Sequence, residues 1–189
     1  VCASTAYGAW LWIPTIAAST SISNNYIYGY EGWALDNWCV NYPGGNIKSS
    51  VANRLMTVHL PYVKQADYSS PKVSSGSNGL SRKCFLLSAV EMGIYTWQGI
   101  DGLMAQEGAK LDYFDYTTAA TDKRKADNEY WTRSKRTLNG NYMYAFYADG
   151  SFCNAGYRED SHGLRPCIVL PLNTLVTTVK FFAELNYIF

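Results

Sequence analysis

Charge is scarce in this chain. Only 16% of its 189 residues are Asp, Glu, Lys or Arg, against about a quarter in an average globular protein. The formal net charge is +1, so the basic surface that binds nucleic acid or an anionic membrane is not expected. The one basic cluster, Lys123-Arg124-Lys125, lies between Asp122 and Asp127 and reads as a solvated helical face. Long apolar runs are also missing. The longest, around residues 9–18, is interrupted by Pro14 and falls short of the ~20 residues that span a bilayer, so membrane insertion is not expected. The amino terminus has no methionine and no basic segment before an apolar one, so no signal peptide is visible.

Residues that carry chemistry are few. Of the two histidines, His59 stands beside Pro61 at the end of an apolar helical segment and reads as a core or capping residue. His162 neighbours Asp160 and Ser161, but triad members come from separate elements and not from adjacent positions. The five cysteines are Cys2, Cys39, Cys84, Cys153 and Cys167, an odd number with no metal-knuckle or redox spacing. Cys84 and Cys167 sit in apolar runs and read as buried small hydrophobes; a Cys153–Cys167 bridge stays open. There is no zinc signature, EF-hand loop or phosphate-binding glycine loop, and Asp112 with Asp115 is too little for calcium. No catalytic residue, metal ligand or cofactor is therefore assigned.

Aromatics fill the gap left by charge. The chain has 16 tyrosines and is 48% hydrophobic. Tyrosine presents a rigid apolar face and a hydroxyl at low entropic cost, which suits it to recognition surfaces; about half of these tyrosines are expected to pack instead.

Helical and strand patterns separate along the chain. Gly8–Ile13 reads as a strand closed by Pro14, Ser19–Gly32 as a surface loop, and Trp33–Trp38 as a short helix. Pro43-Gly44-Gly45 reads as a turn, after which Asn46 caps a helix carrying Ile47, Val51 and Leu55. Gln65–Ser81 is a long Ser/Gly/Asn-rich loop. Cys84–Leu87 is a strand, and Ser88 with Glu91 has the spacing of a capping box at a helix start. Ala109–Phe114 and Asp122–Asn128 read as short helices. Beyond Tyr130 the pattern turns to strands: Tyr130–Ser134, then Asn141–Tyr147, with Asp149-Gly150 as a hairpin turn. Gly163–Pro171 is proline-broken and expected to lie at a sheet edge or to end there, and Val176–Leu185 is strand-like. Helices first and strands later give an α+β class.

Several segments together resemble an uncharacterised domain family of phages, prophages and gut bacteria. The core of the resemblance is Gly79-Leu80-Ser81-Arg82-Lys83-Cys84-Phe85-Leu86-Leu87-Ser88-Ala89-Val90-Glu91. It continues through Glu107–Phe114, Tyr130-Trp131-Thr132-Arg133-Ser134, the tyrosine-rich strand before Asp149-Gly150, and Gly163-Leu164-Arg165-Pro166. Departures are Thr132 and Lys135, where the family usually has Leu and Pro, and the absence of the strands that usually precede Gly8. The Trp-x-Arg-Ser and Gly-x-Arg-Pro ending also resembles the formylglycine-generating-enzyme type of C-type lectin fold. The resemblance implies one C-type-lectin-like domain over residues 1–189, the carboxyl-terminal part of a longer phage tail or virion protein. Its expected build is a small twisted antiparallel sheet with two or more short helices and long loops. The implied partners are a host cell-surface protein or glycan and other virion subunits, in a homo-oligomer, at a virion or extracellular location. A virion decoration or adaptor domain is the alternative, and an enzyme of the formylglycine-generating type a third.

Two groups of residues follow. Arg133 and Arg165 lie in strand-like runs and need partners if buried, for which Glu91 and Asp149 are the candidates. These four are expected to be structural. The ligand face is expected on the outward tyrosines Tyr142 and Tyr144 and on a loop from Phe152 to His162 carrying Asn154, Tyr157, Asp160 and His162, whose composition is that of an adaptable paratope.

Overall fold

The computed structural model describes residues 2–3, 6–22, 30–64, 72–94, 98–99, 102–114, 118–136, 142–157 and 160–176. Two sheets carry the frame. A five-stranded sheet has the order Phe152–Tyr157, Tyr142–Phe146, Tyr130–Lys135, His162–Leu164, Ala18–Thr20. A three-stranded sheet has the order Ala9–Trp12, Pro166–Leu170, Cys84–Leu86. The fold is α+β, with small sheets and few helices among the described residues.

The larger sheet is mixed and not purely antiparallel as expected. Tyr130–Lys135 pairs antiparallel with Tyr142–Phe146 and parallel with His162–Leu164, Tyr130 standing opposite Gly163. One pair of chain segments joins the sheets. Residues 9–20 run antiparallel to 162–170 through both, and the ladder is carried across the junction by Ile13 N–H donating to Pro166 O (3.1 Å) and Ala17 N–H to Leu164 O (3.0 Å).

Of the two expectations for the proline-broken segment, the edge position does not hold and the strand end does: Pro166–Leu170 is the middle strand of its sheet, all five residues buried, and it stops before Pro171. Pro166 opens the strand and Pro171 follows it, so neither missing N–H falls inside the run. Cys167, Ile168 and Val169 keep their donors for the ladders on both sides.

The helical half departs more from its sequence pattern. The Ala34–Asn46 helix runs straight through Pro43-Gly44-Gly45, which does not form the expected turn. Its buried stripe, Leu35, Cys39 and Tyr42, lies against the Cys84–Leu86 strand, and this burial outweighs roughly 1 kcal/mol per glycine and the proline penalty. Asn46 ends that helix and does not start the next. Ile47, Val51 and Leu55 are buried as the helical stripe requires, but only Ser49–Ala52 is helical. The segments expected as loops contain short strands: Ala18–Thr20, and within Gln65–Ser81, Val73–Ser74 and Leu80–Arg82. Ala109–Phe114 contracts to a 3-10 turn at Asp112–Phe114, and the helix expected at Asp122–Asn128 lies four residues earlier, at Thr118–Arg124. The expected terminal strand falls almost wholly outside the described residues, and Leu172–Val176 is helical.

Ser88–Ile94 shows how far local chemistry reaches. The capping box forms, Ser88 N–H donating to Glu91 Oε2 and Glu91 N–H to Ser88 Oγ, both at 3.0 Å. The helix expected to follow does not form; residues 89–93 make a single turn. Gly93, at φ +91°, donates to Val90 O and Ile94 N–H to Ala89 O, the paired bonds of a Schellman stop. Start and stop signals stand five residues apart, so no longer helix can grow.

Candidate functional site

The Tyr130–Lys135 strand carries Arg133 into the interior, where its whole residue is 1% exposed. Both terminal guanidinium nitrogens bind Glu91, Nη1 to Oε2 in a short contact and Nη2 to Oε1 at 2.7 Å, while the buried Nε has no hydrogen-bond partner among the described residues. Nη1 also donates to Leu86 O at 3.0 Å, while Nη2 reaches Glu107 O at 3.1 Å and, more weakly, Pro61 O at 3.4 Å. A fork-to-fork pair with further carbonyl acceptors is the arrangement that makes a buried arginine tolerable. The Glu91–Arg133 pairing follows the sequence expectation.

A second carboxyl, Glu107, was not singled out as a site residue by sequence. It is buried, its Oε1 accepts Val63 N–H at 3.0 Å, and its carbonyl also accepts Ser88 Oγ–H at 2.7 Å. Burial pushes its carboxyl above the usual range, against the opposing pull of Arg133, Ser134 and Val63 N–H. Arg133 thus binds the Glu91 carboxylate and the Glu107 main-chain carbonyl, while the Glu107 carboxyl holds Val63.

In front of this cluster lies a cleft of about 510 Å³. Pro61 and Val73 give it apolar walls, His59, Ser75 and Gln106 give it polar edges, and Gly76 and Gly108 give it bare backbone. Gly108, at φ +112°, is the thin partition: a Cβ there would meet Glu91 Oε1 at 2.9 Å. The two walls are fastened from behind. Arg133 Nη2 binds a carbonyl from each side, Pro61 and Glu107, and the Glu107 carboxyl holds Val63 N–H. His59 is neither a core residue nor on a helix; it lies exposed on the Val58–Leu60 strand with Nδ1 3.2 Å from Ser81 Oγ. The sequence signal for this site was the Glu107-Gly108 step within the family-like motif.

The expected ligand face is rearranged. Tyr144 is 2% exposed and does not project outward; it packs with Ala89, Val90 and Met104. The turn at 89–93 and Met104 cover that face, while Met143, Ala145 and Phe146 enter the main core, so neither face of the strand is left open. Pairing shifts between Met143 and Ala145 also break simple alternation. Tyr142 is half-buried, with the Arg136 guanidinium 5.3 Å from its ring centre. The segment expected as a loop is largely the Phe152–Tyr157 strand, with Tyr157 opposite Tyr142. The side chains of Asn154 and Tyr157 lie outside the described residues. Asp160 is exposed. His162 is buried and not available as a surface contact: its ring lies 4.2 Å from that of Trp131, and Nδ1 is 3.2 Å from Glu129 Oε2.

Arg165 and Asp149 do not pair. Asp149 is exposed and accepts Ser151 N–H at 2.8 Å and Oγ–H at 2.6 Å, closing the hairpin turn expected at Asp149-Gly150. Arg165 donates to main-chain carbonyls, Nε to Ile13 O and Nη1 to Arg124 O and Lys125 O. Arg124, expected on a solvated face, is buried and donates to Gly150 O and Met92 O.

Cys39, Cys84, Cys153 and Cys167 are free and buried, so the Cys153–Cys167 bridge is not formed; the two stand in different sheets. Burial raises the Cys167 thiol well above its ordinary value. Among the described residues no cluster of three or more His, Cys, Asp or Glu could hold a metal ion, and no helix is long and apolar enough to cross a membrane.

An α+β frame whose buried charges fasten the walls of a small open cleft is what the fold and site define. The chain belongs to the DUF6273 family, a domain of unknown function, which it matches over residues 8–172. No curated protein and no solved structure matches it.

Proposed function

We propose that this chain is a non-enzymatic recognition domain that attaches a phage or prophage virion to a host-surface receptor or glycan. The observation that carries the reading is the cleft whose two walls, at Pro61 and Glu107, are tied through the single guanidinium of Arg133. Rigid walls fixed before binding reduce the ordering cost of recognition. Charge in this chain is used inward: Arg133, Glu91, Arg124 and Arg165 hold the frame, and the polar groups at the cleft edge are uncharged amide and hydroxyl with one imidazole. The ordered run of family-like motifs supports the virion context, and we read the frame as a C-type-lectin-like one on the same basis.

The test is binding of a fluorescent, artificially tetramerised chain to cell envelopes of gut bacteria, since multivalency raises weak single contacts into a measurable range. Binding to some envelopes and its loss in a cleft-filling Ser75→Trp variant are expected. No envelope binding, or binding undiminished by S75W, would overturn the reading. A structural adaptor role is favoured by one feature, the exposure of Tyr7 and Tyr113 at 72% and 53%; a native assembly burying both against another subunit would select it.

A further inference from the structure

We infer that the cleft takes a neutral, hydroxyl-rich ligand, the sugar ring of an uncharged glycan. The inference rests on the recognition reading above and names the ligand class of that same cleft.

Charge decides the class first. The described lining contains no carboxylate, ammonium or guanidinium. Directly behind the Gly108 partition lies the Glu91 carboxylate, bound by Arg133, and the buried Glu107 carboxyl is within electrostatic reach of both. A sialic acid, phosphate or carboxylate in the cleft would find no lysine or arginine among the described lining residues and would face the Glu91 carboxylate behind Gly108. A cation fares little better. Both Glu91 oxygens are engaged by Arg133, and the Glu107 carboxyl is buried, with Oε1 on Val63 N–H and Oε2 without a hydrogen-bond partner among the described residues. An ammonium in the cleft would be desolvated with no carboxylate among the described lining residues.

Polarity then separates a sugar from an apolar ligand. Gln106 brings a carboxamide whose Nε2 is anchored on Met104 O at 3.2 Å, Ser75 brings a hydroxyl, and His59 brings a ring held by Ser81. An apolar ligand would strip water from these groups and return no hydrogen bonds. Pro61 and Val73 supply the complementary feature, a pair of apolar walls for the C–H face of a pyranose. Gly76, at φ +59°, has nothing within 4 Å of a notional Cβ, so its backbone is open to the ligand side. A ring with equatorial hydroxyls and an apolar face satisfies both kinds of wall at once.

The experiment uses the full chain labelled with nitrogen-15, titrated with galactose, N-acetylglucosamine and maltose as neutral probes, N-acetylneuraminic acid as the anionic probe and glucosamine as the cationic one. At least one neutral sugar is expected to shift the backbone amides of Ser75, Gly76, Gln106 and Gly108. Gln106→Ala is expected to weaken that binding by about tenfold, the effect of losing one or two hydrogen bonds, with an unchanged spectrum elsewhere. The inference is overturned if no neutral sugar moves these amides, if the anionic or cationic probe binds more tightly, or if Q106A binds as well as the parent chain. Envelope binding that persists while every sugar fails would sink the ligand class alone; failure of both would also remove the recognition reading.

Discussion

The guanidinium of Arg165 lies 3.5 Å from the ring centre of Trp12, with Tyr130 4.6 Å away on the same arginine. Trp12 in turn donates its indole N–H to Arg165 O at 3.1 Å. The contact sits where residues 9–20 and 162–170 pass from one sheet to the other. Arg165 therefore closes the junction: its hydrogen bonds cap carbonyls of Ile13, Arg124 and Lys125, and its flat face covers the two rings.

Arg165→Lys is expected to cost about 2 kcal/mol, because an ammonium reproduces neither the planar stacking nor the fork to separated carbonyls. Urea unfolding of the two chains measures it. A loss under about 0.5 kcal/mol would mean that the carbonyls find other donors.

Breaking the buried pair should be more severe. Glu91→Ala leaves the Arg133 guanidinium with carbonyls alone and is expected to cost about 3–5 kcal/mol. The double replacement Glu91→Leu with Arg133→Met should recover much of that stability, since it removes both charges together. It should still weaken cleft binding, because Pro61 and Glu107 lose their common donor. Unfolding and ligand titration on the same variants separate the two effects.

Gly150 should not tolerate a side chain. Its φ is +82° and a Cβ would stand 2.1 Å from Thr121 O, a main-chain atom that cannot swing aside. Gly150→Ala is expected to destabilise by about 2 kcal/mol or more, whereas Gly44→Ala, inside a helix with open space around it, should stabilise by roughly 0.5–1 kcal/mol. Thermal unfolding distinguishes the opposite signs.

Two buried groups set opposing pH slopes. Burial lowers the His162 value, against the raising influence of Glu129 and Asp160. The unfolded chain then takes up the proton first, so stability should fall as pH drops below about 6.5. Glu107 is raised chiefly by burial, so its folded form holds the proton longer and stability should fall as pH rises above about 4.5 toward its folded value. Melting curves across pH 4 to 8 should lose the first slope in His162→Gln and the second in Glu107→Gln.

The thiols should be inert. Cys39, Cys84, Cys153 and Cys167 are buried, and burial raises Cys39 and Cys167 well above their ordinary values. In a Cys2→Ser background, a disulfide reagent at neutral pH should label the native chain far more slowly than the unfolded one. Rapid labelling of Cys153 or Cys167 would reopen the formylglycine-generating-enzyme reading.

Local signals in the sequence determined what depends on a few neighbouring residues. The Ser88–Glu91 box, the Asp149-Gly150 hairpin, the buried Cys84 and Cys167 runs and the burial of Ile47, Val51 and Leu55 all follow from contacts or apolar patterns among near neighbours in the chain. The need of Arg133 for a carboxylate was also legible, because a buried charge must be matched wherever the chain goes. The tertiary structure decided the rest, since it depends on what lies across from a segment. Ala34–Asn46 continues through proline and glycine because a sheet waits for its apolar stripe. Tyr144 turns from surface to core because Ala89, Val90 and Met104 cover it. The cleft exists only because Arg133 draws Pro61 and Glu107, 46 residues apart in the chain, toward one guanidinium, and no local pattern records which carbonyls a buried donor will find.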